Sequence, residues 1–256
     1  MRRRWASVLV ALVFVAASCT KPKPNVAPAP APATRAFVDL PASESGVVES
    51  EDRMDITIPV FDPLTAAGSS SALKAQFRGT DRKGAKTSIA SGSTESYDTL
   101  VPLVASLPAD DQMLNHTPVI ARTTNTRMTE EERNVHVDAW IYAMKYETDQ
   151  DWHMIIGTDP SASGTPTFFN AEISGLPPAS AASFAQLSDA RNSLGALLNN
   201  NLPGSSGYRK FNEPIAITLE GSLFFDVDHA AGVVGPNNMQ PQTAWEIHPV
   251  TKLTAR

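Results

Sequence analysis

"RNVHVDAWIYAMKYETDQDWHMIIGT" (residues 133–158) alternates apolar and polar residues on either side of a short polar turn. In its first part Val135, Val137, Ala139, Ile141 and Ala143 fall on one side of an extended chain. Asn134, His136 and Asp138 fall on the other. Side chains that alternate with a period of two define a strand with one buried face. "TDQD" (148–151) has turn chemistry, and "WHMIIGT" (152–158) returns as the second strand of a hairpin.

Working outward from this hairpin, the same reasoning predicts three more strands and one helix. "SASG" and Pro166 break the chain, and "TFFNAEI" (167–173) is a third strand. A helix is expected from about Ala181 to Leu198, because Phe184, Leu187, Leu194 and Leu198 recur at helical spacing. Ser183 with Gln186 fits a capping box, and Asn199–Asn201 with Pro203–Gly204 ends the helix. "EPIAITLEGSLFF" (213–225) and "AWEIHPVTKL" (244–253) supply a fourth and a fifth strand. Strand, strand, strand, helix, strand, strand is the order of an OB-fold-like β-barrel with one helix between strands three and four. The expected class is therefore mainly β, with an α+β sandwich as the alternative.

Upstream the texture differs. Residues 35–116 carry serine-, glycine- and threonine-rich stretches between "DITIPVF" (55–61), "LKAQFRG" (73–79) and "TLVPLVASL" (99–107). The first two read as short strands and the third as a short helix or apolar loop, in a loosely ordered region that precedes the β domain at 117–256. "KPKPNVAPAPAPAT" (21–34) alternates proline with small residues, which favours extended polyproline II and forms a semi-rigid tether. Arg2–Arg4 and the apolar run from Trp5 to Ala17 form a signal peptide over residues 1–18, too short for a spanning helix.

"VAASC" closes that run, and Cys19 is the only cysteine of the chain. The motif resembles a bacterial lipobox, which implies lipidation of Cys19 and attachment to the cell envelope. Thr20, not aspartate, follows the cysteine, which resembles outer-membrane sorting where the host has such a membrane. Ordinary cleavage would instead release a secreted protein. Two or three acyl chains, each methylene contributing ~0.8 kcal/mol, would anchor the protein durably. Loss of residues 1–18 moves the formal charge from −6 to −9, and residues 130–256 hold 7 Lys/Arg against 15 Asp/Glu. An acidic surface repels phosphate backbones, so nucleic acid is not an expected partner. The membrane is expected through Cys19, with an envelope glycan, peptide or protein as the domain's ligand.

Four segments concentrate acids and histidines: "DWH" (151–153), "FNAE" (169–172), "FFDVDH" (224–229) and "WEIH" (245–248). Strand alternation puts Asp151 and His153 opposite Trp152, Asn170 and Glu172 opposite Phe169, and Glu246 and His248 opposite Trp245. In an OB-like barrel these three sets lie on neighbouring strands and project from the outer face. Asp226, Asp228 and His229 follow strand four and could complete a cluster. Imidazole with carboxylate suits zinc or another transition metal, so a divalent cofactor is one reading of these residues. A solvated strand face with cross-strand ion pairs is the other. His136 and His116 are expected at the surface. No HExxH, CxxC, GxSxG or phosphate-cradling glycine loop is present.

"TEEERNVHVDAWIYAMKYETDQDWHMII", "FNAEISGLP", "GSLFFDVDH" and "WEIHPV", taken in order, resemble an uncharacterised group of secreted bacterial proteins. That group shares D-x-H, FFD-x-x-H and E-x-H-P-V segments, and the likeness covers residues 117–253. It implies secretion and no particular activity. Two functional readings stand: a binding or interaction module, and a metal-dependent hydrolase built on Asp151, His153, Glu172, His229 and His248.

Overall fold

The computed structural model describes residues 36–40, 77–204, 207–229, 232 and 234–256. Cys19, the tether, the run at 55–61 and most of the run at 73–79 lie outside the described residues. The chain is mainly β. Its strands are β1 (Phe37–Asp39), β2 (Thr94–Tyr97), β3 (Asn134–Tyr146), β4 (Trp152–Gly157), β5 (Phe168–Ile173), β6 (Arg209–Phe225) and β7 (Trp245–Ala255). Among the described residues, four α-helices accompany them: α1 (Lys83–Lys86), α2 (Leu100–Ala105), α3 (Asp110–Leu114) and α4 (Phe184–Leu197), with a 3-10 turn at Thr129–Glu131.

The strands form one mixed sheet in the order β1-β6-β7-β5-β4-β3-β2, and β6 also pairs with β3. The ladder from β3 through β4, β5, β7 and β6 therefore returns to β3 and leaves no free edge among those five. Only the β5–β7 pairing within this circuit is parallel; the other four are antiparallel. β1 extends β6, and β2 lies parallel to β3, so stretches 36–40 and 94–97 share the unit Arg35–Arg256 with the circuit.

One face of the circuit is apolar. Val135, Val137, Ala139, Ile141, Trp152, Met154, Ile156, Phe169, Ala171, Leu219, Leu223, Trp245 and Ile247 pack as one buried cluster. Trp152 and Trp245 sit in it together, as strand alternation requires. Ala143 does not follow the expected side. Register shifts between Ile141 and Ala143 in both ladders of β3, so Ala143 packs with Ile155 and Tyr208 while Met144 joins the main core. One extra residue in a strand reverses the phase of everything after it.

The helix between the third and fourth strands of the circuit is α4. It buries Leu187, Ala190, Arg191, Leu194 and Gly195. The expected capping box does not form: Ser183 makes no side-chain cap bond and donates to the Thr87 carbonyl instead, at 2.7 Å. Helix α4 ends where Asn199 and Asn200 turn left-handed, with φ 51° and 59°, and the Asn200 amide donates back to the Gly195 carbonyl. Asparagine is among the few non-glycine residues that tolerate this conformation.

Gly221 carries the closest approach within the barrel wall. The β6–β7 register shifts on both sides of it, and a Cβ built there would lie 2.5 Å from Ile247 Cγ2 and 2.6 Å from the Pro249 oxygen. Gly221→Ala is expected to cost about 1–3 kcal/mol through overpacking against backbone. Urea unfolding of the variant checks this; an unchanged midpoint would mean that the wall yields at little cost.

Candidate functional site

The second face of β4, β5 and β7 is polar and closed. Asp151, His153, Asn170, Glu172, Glu246 and His248 all show 1% relative exposure or less. The sequence expectation placed these six on an outward, solvated surface. They do share one face, but that face is covered, and the solvated reading is overturned. The cover is built from the segment around α1 and from the loop after β6. Phe77 donates its amide to the Leu176 carbonyl, and its backbone lies against Gly175. Lys86 reaches Asp226 at 3.4 Å, and Met239 packs with Ile155 and Tyr208.

Register assembles the cluster. His153 stands opposite Glu172 on the β4–β5 ladder, and Asn170 stands opposite Glu246 on the β5–β7 ladder. Glu172 thus lies between two imidazoles. His153 Nδ1 is 2.7 Å from Glu172 Oε1, and His248 Nδ1 is 2.9 Å from Glu172 Oε2. His153 Nε2 also lies 3.1 Å from Asn170 Oδ1. His248 reaches Glu246 Oε1 at 3.1 Å through Nδ1 and Asp151 Oδ2 at 3.3 Å through Nε2. The Gly175 amide donates to the other oxygen of Asp151.

The loop after β6 joins the same layer. His229 lies 3.7 Å from Asp226 Oδ2 and 3.6 Å from Glu246 Oε2, and its ring is 5.8 Å from that of His153. Asp228 is the one expected member left outside. It lies two residues along from Asp226 and pairs with Arg122. His136 reaches the surface and pairs with Glu220, and His116 lies beside Glu130.

Three residue sets bring their ligand atoms within 4.8 Å of one another: Glu147–His153–Glu172, Asp151–Glu172–His248 and Asp226–His229–Glu246. Two of them already hold a lysine. Lys145 Nζ is 3.0 Å from Glu147 Oε1, and Lys86 Nζ is 3.4 Å from Asp226 Oδ2. Among the described residues, no lysine or arginine comes within ion-pair distance of Asp151, Glu172 or Glu246. Asp151 Oδ2, Glu246 Oε2 and His248 Nε2 are buried and make no hydrogen bond, and Glu172 Oε2 has only His248 Nδ1, at 2.9 Å, as its ion-pair partner among the described residues. Buried carboxylates need a proton, a cation or donors, because each uncompensated charge costs several kcal/mol.

Protons are shared out unequally as a result. Burial opposes the His248 imidazolium, but Glu172, Glu246 and Asp151 outweigh it and push its pKa up to about 10. Burial, reinforced by Glu172, pushes the Asp151 carboxyl up to about 7 despite the opposing pull of His248. Burial likewise raises Glu246, helped by Glu172 and Asp226. Glu172 goes the other way: burial resists, yet His248 and His153 hold its carboxylate well below the usual range.

Sequence reasoning missed Glu147, Lys145 and Lys86. The first two enter because the shift at Tyr142 turns odd-numbered residues outward, setting Lys145 opposite His153. Lys86 comes from a segment with no strand or helix periodicity to read. Arg82 was also missed. Its guanidinium makes two bonds to Glu131, of 2.6 and 2.8 Å, donates to the Phe225 carbonyl and lies 4.5 Å over the Phe224 ring. It fastens the cover to the end of β6. Comparison with protein-family models, curated proteins and solved structures gave no match to this chain.

Two outcomes follow from this layer. Arg82→Ala leaves Glu131 buried without its cation and is expected to cost about 3–5 kcal/mol. Removing the exposed partner of Glu220 with Lys252→Ala should cost under about 1 kcal/mol. Similar losses in the two variants, measured by denaturant unfolding, would contradict the fastening role. The second outcome concerns pH. A group raised in the folded state contributes stability that is full below its unfolded pKa and lost as pH rises through its folded value. For His248 that window runs from 6.5 to about 10. Chelator-treated protein should therefore lose stability between pH 7 and 10, and His248→Gln should flatten that slope. A slope unchanged in the variant would assign it to another group.

Proposed function

We propose that this chain is a lipid-anchored cell-envelope protein whose β domain is a metal-binding module of OB-like topology. The observation that carries the reading is the triad Asp151–Glu172–His248, buried to 1% exposure or less with no lysine or arginine within ion-pair distance among the described residues. Two carboxylates and an imidazole make a mixed oxygen and nitrogen set, which suits Zn²⁺, Mn²⁺ or Fe²⁺ better than Ca²⁺. A divalent ion there would balance the carboxylate charge that His248 now meets in part. The closed setting favours a held ion over an exchanging one. The closed circuit from β3 to β7 and the place of α4 within it support the OB-like reading. "VAASC" at the end of the apolar leader supports the anchor, with the outer membrane as its site in a host that has one.

A metal-dependent hydrolase is the second reading, and one observation favours it. Glu246 stands 3.1 Å from His248 outside the Asp151–Glu172–His248 set, with burial raising its carboxyl above the usual range, as a proton acceptor near neutral pH requires. Such an enzyme would bind its metal through Asp151, His153, Glu172, His229 and His248, and the metal would supply an activated water. Glu246 or Glu172 would then take the proton. Substrate access would require the Phe77–Ala90 cover to move, whereas a module needs no such opening.

Elemental analysis of residues 35–256 separates these readings from a metal-free module. Stoichiometric divalent metal that is lost in the double variant His153→Ala, His248→Ala is the expected result. Metal-free protein whose melting temperature ignores added Zn²⁺ and Mn²⁺ would end both metal readings. Turnover of activated esters or phosphate esters by the loaded protein would favour the enzyme. Cys19→Ser should release the full chain to the soluble fraction, and its retention in membranes would contradict the anchor.

A further inference from the structure

We propose that Glu172 bridges two divalent cations, one held with Asp151 and His248, the other with Glu147 and His153. This rests on the metal-binding reading above and goes beyond it in number and arrangement. The geometry points there through the division of one carboxylate. Glu172 turns Oε1 to His153 at 2.7 Å and Oε2 to His248 at 2.9 Å. A carboxylate whose two oxygens serve two imidazoles on opposite sides is placed as a bridging ligand would be.

The remaining ligands divide without overlap. Asp151 Oδ2 lies 3.3 Å from His248 Nε2 on one side, and Glu147 Oε1 lies 3.5 Å from His153 Nδ1 on the other. Both sets keep their ligand atoms within 4.8 Å, and Glu172 is the residue common to them. Charge agrees with this division. Glu147, Asp151 and Glu172, with neutral imidazoles, carry three negative charges toward the four positive charges of two divalent ions, and Glu246, outside both sets but 3.1 Å from His248, supplies a fourth. The buried Asp151 Oδ2 and Glu246 Oε2 make no hydrogen bond in that arrangement.

Lys145 is consistent with the second position. Its ammonium is 3.0 Å from Glu147 Oε1, beside the Tyr208 ring, and its side chain keeps 14% exposure. It stands where a cation would contact Glu147, on a flexible four-carbon stem that can swing out. Lys86, at the third set, is held more tightly: its side chain is 6% exposed, beside Asp226 and the Phe224 ring. Asp226–His229–Glu246 therefore already has its cation and is not included.

The test uses full-length protein in detergent, stripped with chelator and reloaded with Mn²⁺. Two equivalents per chain and the electron paramagnetic resonance pattern of an exchange-coupled Mn²⁺ pair are expected, for ions about 3.5–4 Å apart. Lys145→Gln should tighten the second equivalent severalfold. Glu147→Gln should leave one equivalent with an uncoupled signal, and Glu172→Gln should abolish coupling. Saturation of the parent protein at one uncoupled equivalent would overturn the pair while leaving the single metal centre standing. No bound Mn²⁺ would overturn both. Because the count and the coupling are read on the parent protein, a variant that fails to fold does not remove the test.

Discussion

Glu172 receives two imidazoles in a layer that excludes water, and most of the architecture serves that contact. His153 arrives from β4 and His248 from β7, so β5 must lie between them, which requires the parallel β5–β7 pairing. That pairing in turn needs a long connection, supplied by α4 and β6. The carboxylate stays ionised against burial because both rings face it, while its neighbours Asp151 and Glu246 are pushed toward protonation. One strongly held charge displaces protons onto the groups around it.

A buried layer of this composition is costly, and the structure meets that cost locally. Charges taken from water demand partners, and removing one partner from such a layer strands the other. Arg82 with Glu131, and Arg191 Nη1 with the carbonyls of Gln150 and Ser174, are well-donated contacts at its margin. Arg127 does the same, donating to the carbonyls of Ser88, Leu223 and His248 and so tying the cover to β6 and β7. The centre differs from this margin. There the acids outnumber the fixed cations and several oxygens lack donors.

Much of this was legible in the residues. Period-two alternation located β3, β4, β5 and β7 to within a residue or two. It also put Asp151, His153, Asn170, Glu172, Glu246 and His248 on a common face away from Trp152 and Trp245. Burial of that face was not legible. Alternation reports which residues share a side, and a polar side reads as wet unless the covering segment can be recognised. Here the cover is the Ser-, Gly- and Thr-rich stretch around Lys83–Lys86, whose docking depends on Arg82 and Lys86 singly and on no repeating pattern. The shift at Tyr142 hid Glu147 and Lys145 for a different reason, since an extra residue leaves no mark in composition. Asp228 was overread because it neighbours Asp226 in sequence; its turn sends it to Arg122.

His153, His229 and His248 share one polar layer with little side-chain exposure, and chemical modification of the five histidines probes that seal. Diethylpyrocarbonate treatment of the native protein, read by peptide mass spectrometry, should label His136 and His116 quickly. It should spare the other three until denaturant is added. Equal labelling of all five under native conditions would contradict the account, because rings open to reagent and water would need neither the shared carboxylate nor a cation.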